Sequence, residues 1–97
     1  MNMLSKVFVQ GGDCVTREIV GETIIVPIRN HVANLDSIYT LNELGSVIWR
    51  LLDGRKSVEQ IIEAICDVYE VSPADAERDV VDFLQFLQKS KLVKTIS

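Results

Sequence analysis

The chain of 97 residues is long enough for one small domain with a single hydrophobic core. Hydrophobic residues make up 47% of it and charged residues 25%, and no apolar run approaches the roughly 20 residues that span a bilayer. The formal net charge is −4, and lysine and arginine are scattered. This pattern disfavours a nucleic-acid-binding surface, because phosphate neutralisation needs clustered positive charge.

The N-terminal third predicts an arm followed by a hairpin. Residues 1–12, which end at two glycines, are expected to form a flexible arm, and residues 13–97 a single domain. No basic segment precedes an apolar core and a cleavage site, so a cytoplasmic location is expected. Residues 14–20 and 23–28 alternate and are rich in β-branched side chains, which indicates a hairpin turning at Gly21-Glu22.

A third strand is predicted over residues 38–41, and it runs directly into a helix. Asn42 is a favourable N-cap, since its side-chain oxygen can accept a hydrogen bond from a free backbone N–H of the first turn. Apolar residues then recur at helical spacing with Trp49 beside them, and Asp53-Gly54 is expected to end the helix. A strand beside a capped helix offers a sheet edge that can bind an extended peptide.

Two further helices are predicted from their caps. Ser57 and Gln60 match a capping box, and Ser72-Pro73 begins the third helix, because proline at the first helical position loses no hydrogen bond. Residues 92–96 are expected either to add a short strand or to pack back against the domain. The pattern predicts an α+β, winged-helix-like domain in which an N-terminal three-stranded antiparallel sheet is followed by three helices.

The residue types do not predict catalysis. His31, the only histidine, lies in a polar segment, and Gly11-Gly12 lacks the spacing and helix of a phosphate-binding loop. Cys14 and Cys66 are far apart without a CxxC pair, so we expect free thiols and neither a zinc nor an iron–sulfur site. We therefore expect a protein that is not an enzyme and has no cofactor and no metal ion.

Peptide binding is the better hypothesis. An open edge at residues 38–41 would be a template for an added strand, and the third helix would form the other wall. Phe86 lies about 100° from the core stripe of that helix, so it can face a groove, whereas the core is a competing interpretation for Phe83 and Leu87. Acidic side chains on the exposed side can attract a basic peptide residue. The candidate peptide-binding residues are Ser37, Ile38, Tyr39, Thr40, Leu41, Asp79, Val80, Asp82, Phe83, Phe86 and Leu87.

Several short motifs follow one another through the C-terminal two thirds. They are Tyr39-x-Leu41-Asn42-x-x-Gly45-x-x-Ile48-Trp49-x-Leu51-Leu52-Asp53-Gly54, then Ser57-Val58-x-x-Ile61, Asp79-Val80-x-x-Phe83-Leu84-x-x-Leu87 and Leu92-Val93. This ordered set resembles the PqqD-like family, although Ser90-Lys91 stands where that family commonly has a glycine. The resemblance implies a peptide chaperone, or precursor-peptide recognition element. Such a protein binds the leader of a ribosomally made peptide and presents it to a modifying enzyme, often a radical S-adenosylmethionine (SPASM-type) enzyme, which is the partner expected here.

Two other functions stay open from the sequence: a winged-helix nucleic-acid-binding regulator, and an accessory subunit that stabilises a partner enzyme. The acidic third helix argues against the first, so no nucleic-acid partner is expected, and no membrane partner is expected either. An exposed edge strand can also pair with its own copy, which leaves a homodimer open.

Overall fold

The computed structural model describes residues 3–29, 32–33 and 38–96. Seven strands and three helices lie within these ranges, after a 3₁₀ turn at Met3–Ser5. The strands are β1 (Val7–Gln10), β2 (Cys14–Ile19), β3 (Glu22–Arg29), β4 (Val32–Ala33), β5 (Tyr39–Leu41), β6 (Asp53–Ser57) and β7 (Val93–Thr95). The helices are α1 (Glu43–Leu51), α2 (Val58–Val68) and α3 (Pro73–Lys89).

The predicted three-stranded antiparallel sheet is present, with β3 between β2 and β5. Ile25 of β3 pairs with Thr16 on one side and with Tyr39 on the other. Gly21 turns the β2–β3 hairpin at a φ of 74°, a conformation that glycine adopts without steric cost. The short β4 pairs with the far end of β3. Both β2 and β5 are therefore outer strands of this sheet.

A second antiparallel sheet, in the order β6-β1-β7, was not expected from the sequence. Its middle strand is β1, which the sequence placed in a flexible arm over residues 1–12. Instead, Phe8 pairs opposite Thr95 and is only 1% exposed, in the hydrophobic core. Helix α1 ends at Leu51, just before Asp53-Gly54 as expected, and β6 then follows over Asp53–Ser57 where no strand was predicted. Local pattern does not predict these pairings, because the partners of β1 lie far along the chain.

The three predicted helix caps are all formed. The Asn42 side chain accepts from the Gly45 N–H at 2.8 Å, and Ser72 accepts from the N–H of Asp75. Ser57 and Gln60 complete the capping box, each side chain accepting from the other's backbone. Each helix start is thereby fixed, and with it the position at which the apolar face of the helix begins.

One hydrophobic core joins both sheets and the three helices. Its fully buried side chains include Ile25 of the first sheet, Phe8 of the second, and helical residues from α1, α2 and α3. Trp49 of α1 is 2% exposed and lies in this core. Cys14 and Cys66 are free thiols that pack against this core. Among the described residues, no helix is both long and apolar enough to cross a bilayer.

Candidate peptide-binding site

The outer edge of β5 has no partner strand within the described part of the chain. β5 pairs with β3 through the register Thr23↔Leu41, Ile24↔Thr40 and Ile25↔Tyr39, and with nothing on its other side. In an antiparallel pair, alternate residues direct their N–H and C=O groups to opposite sides. Part of the β5 backbone therefore faces outward without a strand to bind, which is the template that an added strand needs.

Helix α3 covers one face of this edge. Leu41 is 5% exposed and Tyr39 is half-buried, whereas Thr40 between them is exposed. The ring of Tyr39 meets that of Phe86 edge to face, with centroids 5.7 Å apart and an interplanar angle of 73°. Such pairs contribute about 0.5–1.5 kcal/mol beyond the area they bury. This contact holds the C-terminal half of α3 beside β5.

An open groove of about 380 Å³ lies between the β5–α1 junction and α3, which is within the usual size of ligand clefts. Phe83 is half-buried and Phe86 is 45% exposed at its α3 wall. The residues that line the groove are Thr40, Leu41, Asn42, Leu44, Gly45, Ile48, Asp79, Phe83 and Phe86. A free strand edge and an apolar groove thus share one surface.

Gly45 allows the start of α1 to pack closely against Leu41 and Phe83 at the groove. A Cβ built at this position would lie 3.5 Å from Cζ of Phe83, 3.3 Å from Cβ of Leu41 and 3.2 Å from Oδ1 of Asn42. Glycine inside a helix costs about 1 kcal/mol relative to alanine, so its presence one turn into α1 is a signal of close packing. Gly45 is not among the candidate residues predicted from the sequence, although that cost could have indicated it.

Buried hydroxyl groups fix the junction of β5 and α1. Thr23 Oγ1 donates to Ser46 Oγ at 2.8 Å, and Ser46 Oγ donates to the carbonyl of Leu41 at 3.4 Å. Both side chains are buried, at 1% and 3% exposure. Because buried polar groups are costly when unpaired, this chain of hydrogen bonds ties β3, β5 and α1 into one arrangement. The floor of the groove is therefore formed before any peptide arrives.

The α3 rim of the groove is negative. Asp79 lines the groove with its side chain 51% exposed, and its nearest cation is Arg78, with Nε 4.0 Å from Oδ1. Arg78 lies closer to Asp75, at 3.1 Å. Asp82 follows one turn later, exposed beside the groove without lining it. This rim favours a peptide segment that carries a positive charge.

The candidate residues differ in where the structure places them. Thr40, Leu41, Asp79, Phe83 and Phe86 line the groove, as noted, while Tyr39 supports it through Phe86 and the 48% exposed Ile38 precedes β5. Val80 and Leu87 are both 0% exposed. Their predicted place in this groove therefore needs correction: they lie on the core stripe of α3 and do not line it. Ser37, like His31, lies outside the described residues.

Residues with catalytic or metal-binding chemistry do not gather at the groove. Within residues 3–29, 32–33 and 38–96, no group of three or more His, Cys, Asp or Glu side chains can hold a metal ion. The groove is lined by apolar side chains, one hydroxyl, one amide and one carboxylate. Such a surface is suited to binding an extended peptide.

Comparison with known families shows the group of proteins to which this chain belongs. The family described as Coenzyme PQQ synthesis protein D (PqqD) matches residues 22–93. The chain belongs to the PqqD family. The PqqD match extends from β3 to β7, so it includes every element that forms the groove. This result confirms the resemblance seen in the sequence motifs. No curated protein sequence matches the chain.

A solved structure is also similar to this PqqD-family chain: that of TbiB1 in complex with the TbiA(beta) leader peptide. The TM-score is 0.78 and the sequence identity 29%, and the alignment covers 92% of this chain and 98% of that chain. The likeness confirms the predicted α+β fold.

Proposed function

We propose that this chain is a non-catalytic peptide chaperone that binds the leader of a ribosomally made precursor peptide. The leader would add as a strand to the outer edge of β5, with alternate side chains in the groove against α3. One observation carries this proposal: the vacant backbone edge of β5 and the apolar groove lined by Phe83 and Phe86 lie side by side. The family and the leader-peptide complex of the similar TbiB1 support it.

Strand addition divides affinity and specificity between backbone and side chains. Hydrogen bonds from the β5 edge bind any extended backbone, so they cannot distinguish one peptide from another. Side chains that enter the groove meet Phe83, Phe86 and Ile48, and they supply the selection. Because a free peptide loses conformational entropy when it is ordered, we expect micromolar rather than nanomolar affinity.

The charge of α3 distinguishes this function from nucleic-acid binding. Four acidic residues of this helix are exposed: Asp75, Glu77, Asp79 and Asp82. A recognition helix with this charge would repel phosphates. The same charge attracts a lysine or arginine of a peptide, so the structure favours a peptide partner. A gel shift at moderate salt is expected to show no binding to duplex DNA.

The bound leader would be presented to a modifying enzyme, and we propose a radical S-adenosylmethionine enzyme as that partner. The family resemblance supports this choice of enzyme. A tethered substrate meets the enzyme at a high effective concentration, which raises the rate of encounter without any catalytic group in the chaperone. Pull-down of the enzyme with and without the precursor peptide separates this role from that of an accessory subunit. A presenter recovers the peptide together with the enzyme, whereas an accessory subunit binds the enzyme alone.

Titration calorimetry with candidate precursor peptides, taken from any short reading frames that adjoin the gene for this chain, tests the proposal directly. We expect heat of binding and amide shifts in an isotope-labelled chain at Thr40, Gly45 and Phe86. Shifts confined to the second sheet, or the absence of both heat and shifts, would contradict the proposed function.

A further inference from the structure

A second, smaller cavity lies where α1, the end of α2 and the start of α3 meet. Its volume is about 60 Å³. The innermost lining is apolar and buried: it is formed by Ile65, Ala76 and Val80, which are 2%, 3% and 0% exposed. Tyr69 and Val71, from the connection between α2 and α3, also line it and stay partly exposed. Strand addition to β5 alone gives this cavity no role.

The cavity continues the groove. Leu44 and Asp79 line both of them. Along this surface, β5 and the start of α1 run opposite to α3: Tyr39 meets Phe86 near the end of α3, whereas Leu44 lies beside Asp79 two turns earlier. A peptide that follows the groove past the end of β5 therefore arrives at the cavity.

The outer wall of the cavity is held in place by backbone hydrogen bonds. The N–H of Tyr69 donates to the carbonyl of Ile65 at 2.9 Å, and the N–H of Val71 donates to that of Tyr69 at 3.0 Å. Ser72 then caps α3. A wall that is ordered in the free chain adds little ordering cost when a side chain enters, which favours binding.

The distance between the two sites sets the spacing of the peptide residues that would fill them. From Phe86 back to Ala76, α3 rises about 15 Å at 1.5 Å per residue. An extended chain advances about 3.3 Å per residue. Roughly four or five peptide residues thus separate a side chain at Phe86 from one at the cavity.

We infer that this cavity is an anchor subsite for one small aliphatic side chain of the same peptide, four or five residues from the side chain that contacts Phe86. The inference rests on the proposed function. The volume of about 60 Å³ is well below the 150 Å³ cavity that holds benzene. Valine or proline fits such a space and an aromatic ring does not. Asp79, between the two sites, disfavours a carboxylate in the intervening residues.

Selection from a library of randomised peptides on the immobilised chain tests this subsite. Enriched peptides are expected to carry an apolar residue for the groove and a small aliphatic residue four or five positions away. Val71→Ser is expected to remove the second preference and keep the first, because Val71 lines the cavity. Val68→Ser is the matched control: Val68 is 70% exposed nearby and does not line the cavity, so both preferences stay.

The peptide itself supplies a second test that leaves the chain unchanged. Replacing the anchor residue of a selected peptide by serine is expected to weaken binding roughly fivefold or more. Peptides enriched for the groove residue but without a preference at that spacing would overturn the subsite and leave the proposed function standing. If Val68→Ser and Val71→Ser both lose the preference for the small aliphatic residue to the same extent, the subsite is also overturned. If no peptide is enriched, the proposed function fails as well.

Discussion

Phe86→Ala tests two roles of one aromatic ring. The buried part of the ring stabilises the fold, and the exposed part is available to bind a peptide. In the free chain Phe86 is 45% exposed, and its buried part packs edge to face on Tyr39. A phenylalanine side chain presents about 150–250 Å² of surface, so roughly 70–110 Å² is left for a partner to cover. At about 25 cal/mol per Å², that area corresponds to roughly 2–3 kcal/mol as an upper bound.

We therefore expect Phe86→Ala to weaken binding of the precursor peptide by about ten- to a hundredfold. Calorimetry or fluorescence anisotropy measures the change. The same substitution removes the buried half of the ring and is expected to lower the free energy of unfolding by roughly 2–3 kcal/mol. Urea denaturation measures this second effect, and binding is compared only under conditions in which the variant is folded.

Val20→Ala is the control, since Val20 is 100% exposed at the β2–β3 turn and lies outside the groove. It is expected to change neither binding nor stability. If Phe86→Ala binds the peptide within twofold of the unchanged chain, the ring does not contact the peptide. The assignment of α3 as the second wall of the site is then refuted.

Three further experiments test the charge of the α3 rim, the backbone strain at Gly54 and the reactivity of the Cys14 thiol. Asp79→Asn together with Asp82→Asn is expected to weaken binding of a basic peptide severalfold at low salt and to flatten the salt dependence of its Kd; an unchanged salt dependence argues against a charged contact. Gly54→Ala is expected to lower the free energy of unfolding by about 1–2 kcal/mol, measured in urea, because φ is 80° there and the new Cβ would lie 2.7 Å from Cδ1 of Ile96. Burial, with a smaller effect of the neighbouring Asp13, raises the pKa of Cys14. Because less thiolate is then present, its alkylation by iodoacetamide at mildly alkaline pH is expected to be slower in the folded chain than in urea, and equal rates contradict this.

Local signals predicted the helices and the β5 edge well. Asn42, Ser57 and Ser72 act through hydrogen bonds to residues three positions away, so a short stretch of sequence contains both partners of each interaction. The alternation of residues 38–41 similarly indicated a strand that the structure places at Tyr39–Leu41. The edge is open because β5 pairs with β3 on one side and with no other described strand on its second side.

Contacts between segments that lie far apart in the chain were the part of the structure that the sequence did not predict. The segment around Phe8 resembles a short apolar arm, because its partner strands begin at Asp53 and Val93. Val80 and Leu87 were assigned to the groove because helical periodicity gives the face of α3 but not which neighbour covers it. Leu44, Gly45 and the second cavity were missed for a related reason: they take part in the surface only once α1 packs against α3.

The place of β1 in the middle of its sheet has a consequence for how the protein is made on the ribosome. Chains emerge N-terminus first, yet one neighbour of β1 is β7, which is translated long after β1. Until β7 has left the exit tunnel, one backbone edge of β1 has no partner strand. A nascent or truncated chain that stops before Val93 would therefore leave Phe8, otherwise 1% exposed, less well covered. Such an intermediate is prone to aggregate and is a natural target for chaperones of nascent chains.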